Sequence, residues 1–370
     1  MKEYFLKDIC KLNSYKQVPA SLIEELKCDS EEIALLPSSN DYGLFTSYEL
    51  GNKYVCEGEV ITIGRARYAN IKYWNGKFIS SNNIIIQSKD KNLVLTKYLY
   101  YYFLCNNKKV YIEKTTYPVF DKNHFNKLTI LIPSIDGQAE IVAKLDLISE
   151  AIKCEENRIQ LYEELISSKF IEMFGDPVLN PMGWEKCQLA EKCDISTGNT
   201  PSRKIPEYYG DYIEWIKSDN INTAFINLTE AVEYLSEKGL EKGRSVEVGS
   251  ILMTCIAGSV KCIGNVGIAD RKVAFNQQIN GISPRNNNTY FMYEQFILAK
   301  QYIQSHIKMA VKGMLNKTQL SKLEFIFPPI EKQNKFGAFM EEVHSLIDDG
   351  YYQLEKLNEL LATEMHKYFD

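Results

Sequence analysis

Two segments of the chain carry apolar residues on alternating steps of four and three. In the first, Ile141, Leu145, Ile148, Ile152, Ile159, Tyr162, Ile166 and Met173 follow this rule, interrupted at Glu155 and Lys169. In the second, Phe336, Met340, Val343, Ile347, Leu354, Leu357, Leu361 and Tyr368 do the same, interrupted at Gly350 and Glu364. An offset of 195 residues lays one segment on the other, placing Pro133 on Pro328, Ile135 on Ile330, Gln138 on Gln333 and Leu165 on Leu360. Such spacing is a heptad seam and predicts two long helices. Each would run about 33 residues, roughly 50 Å at 1.5 Å per residue, well beyond an ordinary globular helix. A single amphipathic helix would pack its stripe on its own domain. Two equal stripes in one chain can instead cover each other as an antiparallel pair, giving an internal pseudo-twofold repeat in which the seam is both rod and partner-binding surface.

Elsewhere the pattern is that of strands and turns. Residues 31–37 and 58–64 predict short strands, residues 78–87 a buried strand centred on Ile84, Ile85 and Ile86, and residues 93–104 a helix. Between the strands, residues 64–77, GRARYANIKYWNGK, interleave Arg65, Arg67, Lys72 and Lys77 with Tyr68, Tyr73 and Trp74. Cations suit phosphates and guanine edges, and aromatic rings suit bases; the same composition also fits a solvated hairpin with packed aromatics. Residues 174–184, FGDPVLNPMGW, break helix and read as a linker. The second half then repeats the order of the first. A strand at 213–217 stands for 33–37, Ser218 to Asn220 for Ser38 to Asn40, 248–252 for 57–61, and 274–280 for 77–83, before a helix near 290–308 and a closing segment at 312–329. The plan is α+β: a mixed domain at 1–134, a helix at 135–174, a second mixed domain at 175–330 entered through the linker 175–184, and a helix at 331–370.

At 370 residues the chain suits two domains, and 12% aromatic content with 24 Tyr argues against disorder. No run of 18 apolar residues exists and the N-terminus lacks an apolar signal core, so the expectation is a cytoplasmic chain with no membrane partner. Nine cysteines without a CxxC pair fit reduced thiols. The net charge of −5 hides an uneven distribution: residues 136–172 and 331–370 each hold nine acidic and four basic residues, leaving +5 on the rest. That is a mild electrostatic footprint for a polyanion on the two mixed domains.

Catalytic machinery is missing from the sequence. There is no GxxxxGK[ST] phosphate loop, no GxGxxG opening a helix after a strand, and no [NDS]PP[YF] tetrad of an adenine methyltransferase; the nearest segments, residues 180–183 and 327–330, read NPMG and FPPI. His124, His306, His344 and His366 are scattered, with no evident metal set or triad. The expectation is a non-catalytic chain.

Taken with these absences, the helical repeat and several segments give the chain a resemblance to the DNA specificity subunit of type I restriction-modification enzymes, a host-defence system of DNA methylation and restriction. The segments are FIEMFGDPVLNPMGW, residues 196–221 (STGNTPSRKIPEYYGDYIEWIKSDNI), FNQQINGI at 275–282, and the two domain exits LTILIPSIDGQAEIVAKLD and LEFIFPPIEKQNKFGAFME. The resemblance implies two target recognition domains, each reading one half of a bipartite double-stranded DNA target, with the long helices setting the spacing and docking two methyltransferase subunits. Restriction nuclease subunits can join such a complex. S-adenosylmethionine, ATP and magnesium are then expected on partner chains, with no cofactor or metal on this one. Carried over by motif, the DNA-facing candidates of the second domain are Thr200, Ser202, Arg203, Lys204, Ser218, Asn220, Lys261, Gln277, Gln278, Lys312 and Lys317. Gln277 and Gln278 suit adenine edges, but because FNQQIN recurs in family members that read different sequences they fit a structural or phosphate-facing role better. In the first domain, where residues 63–67 stand in place of the second domain's 255–261, the family's half-site contacts cannot be carried over. Its candidates are Ser38, Asn40, Arg65, Arg67, Tyr68, Lys72 and Lys77, with the base-reading ones expected within 64–77 because that stretch departs most from the family pattern. Two other readings stay open: a coiled-coil scaffold that does not touch DNA, and the specificity chain of a restriction system that fuses cutting and methylation in its partner.

Overall fold

The structure, a computed structural model, describes residues 2–13, 15–65, 70–113, 116–309 and 313–369, and of Lys308, Met309 and Gly313 only the backbone. Its contacts divide the chain into two units, Met1–Glu156 with Tyr352–Asp370, and Asn157–Tyr351.

The first unit runs β1 (Lys2–Phe5), α1 (Leu6–Ile9), β2 (Cys10–Asn13), α2 (Ala20–Leu26), β3 (Ile33–Leu36), β4 (Leu44–Thr46), α3 (Tyr48–Gly51), β5 (Cys56–Gly64), β6 (Ile71–Ser80) and β7 (Asn83–Ser88). It continues through α4 (Thr96–Cys105), β8 (Tyr111–Ile112), β9 (Val119–Phe120), α5 (Lys122–Phe125) and β10 (Thr129–Ile132) into α6 (Ile135–Phe174). Six strands form one sheet in the order β2-β7-β5-β6-β3-β4, antiparallel except where β3 lies beside β6 with Leu35 opposite Ile79. Both faces of this sheet are covered. Ile61, Ile63, Ile71 and Ile86 pack with Tyr98, Leu99, Tyr102 and Phe103 of α4, while Val60, Phe78 and Ile85 form a second cluster with Ala34 and Leu36. A strand buried on both sides needs no polar alternation, which is why residues 60–63 and 84–86 are nearly continuous apolar runs.

The second unit runs β11 (Lys186–Gln188), α7 (Leu189–Lys192), β12 (Cys193–Thr197), β13 (Tyr209–Gly210), β14 (Ile213–Ile216), β15 (Tyr234–Leu235), α8 (Glu237–Lys242), β16 (Ser245–Val246), β17 (Ile251–Thr254) and β18 (Ile256–Ala257). After these come β19 (Val266–Ile268), β20 (Val273–Phe275), β21 (Ile279–Pro284), α9 (Thr289–Leu298), α10 (Lys300–Ser305), β22 (Lys308–Met309), β23 (Gly313–Met314), α11 (Lys317–Ser321), β24 (Glu324–Ile326) and α12 (Ile330–Phe369). The strands form sheets β12-β21-β17-β19, β13-β15-β14-β20-β16 and β18-β23-β22, with β11 beside β24.

The repeat extends from sequence into hydrogen bonds. The first strand of each unit pairs antiparallel with its exit strand, Lys2 opposite Ile132 and Lys186 opposite Ile326. The next residue donates its N–H to the segment before that strand, Leu6 to Leu128 and Leu189 to Leu323, both at 2.9 Å. The parallel pair recurs as β14 beside β20, with Ile216 opposite Phe275. At the exits, Gln138 and Gln333 are buried at 0% and 1% exposure. Gln138 donates to Pro133 O at 3.1 Å and Leu93 O at 2.9 Å and accepts from Leu95 N at 2.9 Å. Gln333 donates to Pro328 O at 2.8 Å and Asn287 Oδ1 at 3.1 Å and accepts from Asn288 N at 3.0 Å. Leu95 and Asn288 are the residues just before α4 and α9. One buried amide per unit therefore ties the domain exit to the helix that covers the sheet.

Helices α6 and α12 each span 40 residues, longer than the roughly 33 expected, because each begins before its first stripe position, at Ile135 and Ile330, and ends just after its last, at Phe174 and Phe369. In the first unit Leu145 is buried against the α4 cluster with half-buried Ile141, Leu361 and Tyr368; Lys144 pairs with Glu364 at 2.8 Å, and the Phe369 ring lies 5.1 Å from Tyr98. Ile148 is buried, whereas Ile152, Leu354 and Leu357 are half-buried. In the second unit Phe170 and Phe174 meet Phe336 at 5.3 and 5.8 Å while Glu163 acts on Tyr351, so the helices run antiparallel there. Ile159, Ile166, Met340, Val343 and Ile347 are buried in the same unit. The seam is thus largely covered by this chain itself.

Three expectations change. Residues 78–87 are not one strand: β6 ends at Ser80, and Asn82, at φ 57, turns the chain into β7. Lys72, Tyr73, Trp74 and Lys77 lie on β6, with Lys72 opposite Thr62, and not on a loop. The segment after α6 is a held turn: Asn180 and Trp184 bond each other at 2.8 and 2.9 Å, and the Trp184 indole donates to Phe174 O at 2.9 Å. All nine cysteines are free; burial pushes Cys10, Cys193 and Cys255 up to about 12, while Cys154 is exposed. Among the described residues no helix is long and apolar enough to cross a membrane.

Candidate nucleic-acid interface

In the second unit the chain gathers several candidates along one rim. Gly198 follows β12 at a point where a Cβ would sit 2.2 Å from Asn276 O, so only glycine allows this close approach. Asn199 N then donates to Phe275 O at 3.1 Å, and the Thr200 hydroxyl reaches the Gln277 side chain. From the other side Gln278 O accepts from Cys255 N at 2.8 Å and Ile256 N at 3.1 Å, and Ile256 pairs with Met314. Thr200, Gln277, Lys261 and Lys317 are all exposed. Lys317 opens α11 directly after Asn316, whose side chain caps Gln319 N at 2.9 Å.

Other candidates are occupied. Arg203 is exposed, yet its guanidinium lies 4.8 Å over the Tyr209 ring and pairs with Glu233 at 2.7 Å. Glu233 also takes Lys217, and these two cations hold its carboxyl below the usual range. Asn220 is buried at 7%, its amide donating to Glu230 O at 2.9 Å and accepting from Lys217 N at 3.0 Å. It is therefore a scaffold residue, not a free reader. Ser218 and Gln278 are half-buried, and Ser202 and Lys204 are exposed on the loop. Lys312 lies outside the described residues.

In the first unit Lys72 is a correction. At 3% exposure its ammonium donates to Pro37 O at 2.6 Å and Ser39 O at 2.9 Å, and burial pulls its pKa down to about 8. It faces inward and props the segment that carries half-buried Ser38 and exposed Asn40. Lys77 is exposed, 5.0 Å from the Tyr48 ring. Arg67 and Tyr68 lie outside the described residues. Arg65, exposed at the end of β5, donates to Asn83 O at 3.5 Å and accepts through its own carbonyl from Phe120 N at 3.0 Å. It lines a cavity of about 480 Å³ together with Tyr15, Gln17, Asn83, Phe120 and Lys122.

Lys122 was not among the sequence candidates. The signal for it was present: Asp121-Lys122 lies 195 residues before Asn316-Lys317, and each lysine opens a short helix behind a capping Asp or Asn. Among the described residues no group of three or more His, Cys, Asp and Glu is placed to hold a metal ion.

The profile of the type I restriction modification DNA specificity domain matches this chain twice, over residues 1–164 and 181–356. Over 194 residues the chain is 27% identical to the type I restriction enzyme MjaIX specificity subunit of Methanocaldococcus jannaschii, covering 50% of this chain and 44% of that protein. Over 160 residues it is 32% identical to the HindI specificity subunit of Haemophilus influenzae, covering 41% and 33%. Each match thus spans less than half of the relative's length. In fold, the chain is similar to the S subunit of a type I restriction-modification system from M. genitalium, with a TM-score of 0.63 at 12% identity, covering 100% of this chain and 96% of that one. A second solved chain, from work on assembly and conformational transition of the type I system, gives a TM-score of 0.55 at 16% identity over 100% and 97%. With both units matched by the profile and both built on one repeated plan, the chain belongs to the type I restriction modification DNA specificity domain family.

Proposed function

We propose that this chain is the sequence-reading subunit of a type I restriction-modification complex. Each unit reads one half of a bipartite duplex target, and the two halves differ because the units differ in sequence. The long helices set the spacer and carry the partner surface. Because the seam is covered by the chain itself, methyltransferase subunits meet the faces left open, where Leu147 and Leu161 are 68% and 63% exposed. Methyl transfer, ATP hydrolysis and their cofactors and magnesium belong to those partners, and this chain positions them without catalysing. The observation that carries the reading is the double match of the specificity profile on two units with the same strand pairing. Its basic excess, outside the acidic helices, is the supporting electrostatic term.

Phosphate contacts would fix register and a few side chains on the rims would read base edges. Binding of this chain, alone or with its methyltransferase partner, to duplex DNA should therefore weaken steeply as salt rises, with a log-log slope of several units. Fluorescence anisotropy across a salt series measures that slope. A slope near zero removes the phosphate contacts and returns the chain to a scaffold.

A further inference from the structure

The cavity beside Arg65 has a composition that the reading above does not assign. Two of its lining side chains, Arg65 and Lys122, are cationic, and no carboxylate lines it among the described residues. Among the described residues each has its charged end largely free: Arg65 makes one long bond, to Asn83 O at 3.5 Å, and the exposed Lys122 ammonium makes no ion pair or hydrogen bond. Two like charges converging on one cavity without a counter-charge repel each other, and an anion relieves that repulsion. The walls add Tyr15 and Phe120, apolar surface against which a sugar edge can lie, and the amide of Gln17. The backbone fixes the cavity, because Phe120 N bonds Arg65 O at 3.0 Å and Asp121 caps α5 through His124 N at 2.7 Å.

The second unit repeats part of this arrangement. Leu315 N bonds Cys255 O at 3.0 Å as Phe120 N bonds Arg65 O, and Lys317 follows Asn316 as Lys122 follows Asp121. The same cation thus stands at the same point of the plan in both units.

We propose that Arg65 and Lys122 clamp one DNA backbone phosphate in this cavity, and that Lys317 holds its counterpart in the second unit. The assignment rests on the DNA-reading function proposed above. It differs from base reading by Arg65, since a phosphate grip carries no sequence information. The chemistry is a phosphodiester, and a free phosphate is its only competing source.

The test compares this chain with its Arg65→Ala, Lys122→Ala, Lys122→Arg and Lys317→Ala variants on target and unrelated duplexes across a salt series. All three side chains are exposed, so melting temperatures should be unchanged and serve as the folding control. The expected result is that each alanine variant lowers the salt slope by about one and weakens both duplexes by the same factor, while Lys122→Arg restores the slope. Inorganic phosphate titrated alone should give no saturable heat. An unchanged slope in Arg65→Ala and Lys122→Ala, or a loss confined to one sequence, overturns the clamp while wild-type binding leaves the DNA-reading function standing. Saturable phosphate binding lost in Lys122→Ala, with the DNA slope intact, moves the cavity to a free anion and overturns it too. No duplex binding by the wild type overturns both readings.

Discussion

At the scale of single residues, charge and burial separate two classes that look alike in sequence. Lys72 and Lys77 both sit in a basic, aromatic stretch, but they alternate faces along β6. Lys72 is 3% exposed with its ammonium saturated by Pro37 and Ser39 carbonyls; Lys77 is open. Composition placed both on a binding loop, and the register of β6 decides which can reach a ligand. Burial also makes one histidine a reporter of acid stability. His344 on α12 is held neutral, its pKa pulled by burial from 6.5 to about 4. Below pH 6.5 the unfolded chain takes up a proton that the folded chain refuses, so the second unit loses stability as pH falls toward 4. The loss is on the order of 1.4 kcal/mol per pH unit while only the unfolded form titrates. Buried Glu294 has its carboxyl pKa raised and works in the opposite sense, so the informative quantity is a difference. Denaturant melts at pH 7 and pH 5 should show a larger loss for the wild type than for His344→Gln; equal losses would contradict the assignment.

At the scale of elements, what the sequence made legible was whatever had a period. The heptad stripes revealed α6 and α12 because a 3.5-residue repeat over more than thirty residues has few other solutions. The pairing of residues 33–37 with 213–217 and of 77–83 with 274–280 carried through to the parallel β3-β6 and β14-β20 pairs. What was not legible was where a pattern stops for conformational reasons. Residues 78–87 look like one apolar strand, but Ser81 and Asn82 turn it, with Asn82 in the left-handed region that asparagine tolerates better than most residues. The N-terminal match of Leu6 and Cys10 with Leu189 and Cys193 is not legible from the helical repeat, because its offset is 183 residues and not 195. The candidate site was less legible than the fold. Residue type marked the second unit's rim but not the buried roles of Lys72 and Asn220, and Lys122 emerged only from its position in the plan. The matching glutamines at the exits are the sharpest test of that plan. Gln333→Leu keeps the volume but strands Asn288 N and Pro328 O, at about 1–3 kcal/mol for each buried group left unpaired. Gln138→Leu should act equally on the first unit. Equilibrium denaturation measures both; a loss within about 0.5 kcal/mol, the range of an ordinary surface change, would contradict the role.

At the scale of the whole molecule, acidity is concentrated on the helices and the basic excess on the two sheet-bearing units, so an overall charge of −5 conceals a chain suited to a polyanion. Two units with one plan and different rims are what a reader of two unlike half-sites requires, and the family assigns that plan to DNA specificity. The measurement that tests this most directly is modified-base sequencing of a genome in which this chain is expressed with its methyltransferase partner, beside the same strain carrying a chain whose second recognition unit, residues 185–329, comes from another family member. The expected result is a bipartite consensus with a spacer of fixed length, of which the exchange rewrites one half and leaves the other half and the spacer unchanged. A single contiguous consensus, both halves changing together, or no methylation that depends on this chain would contradict it.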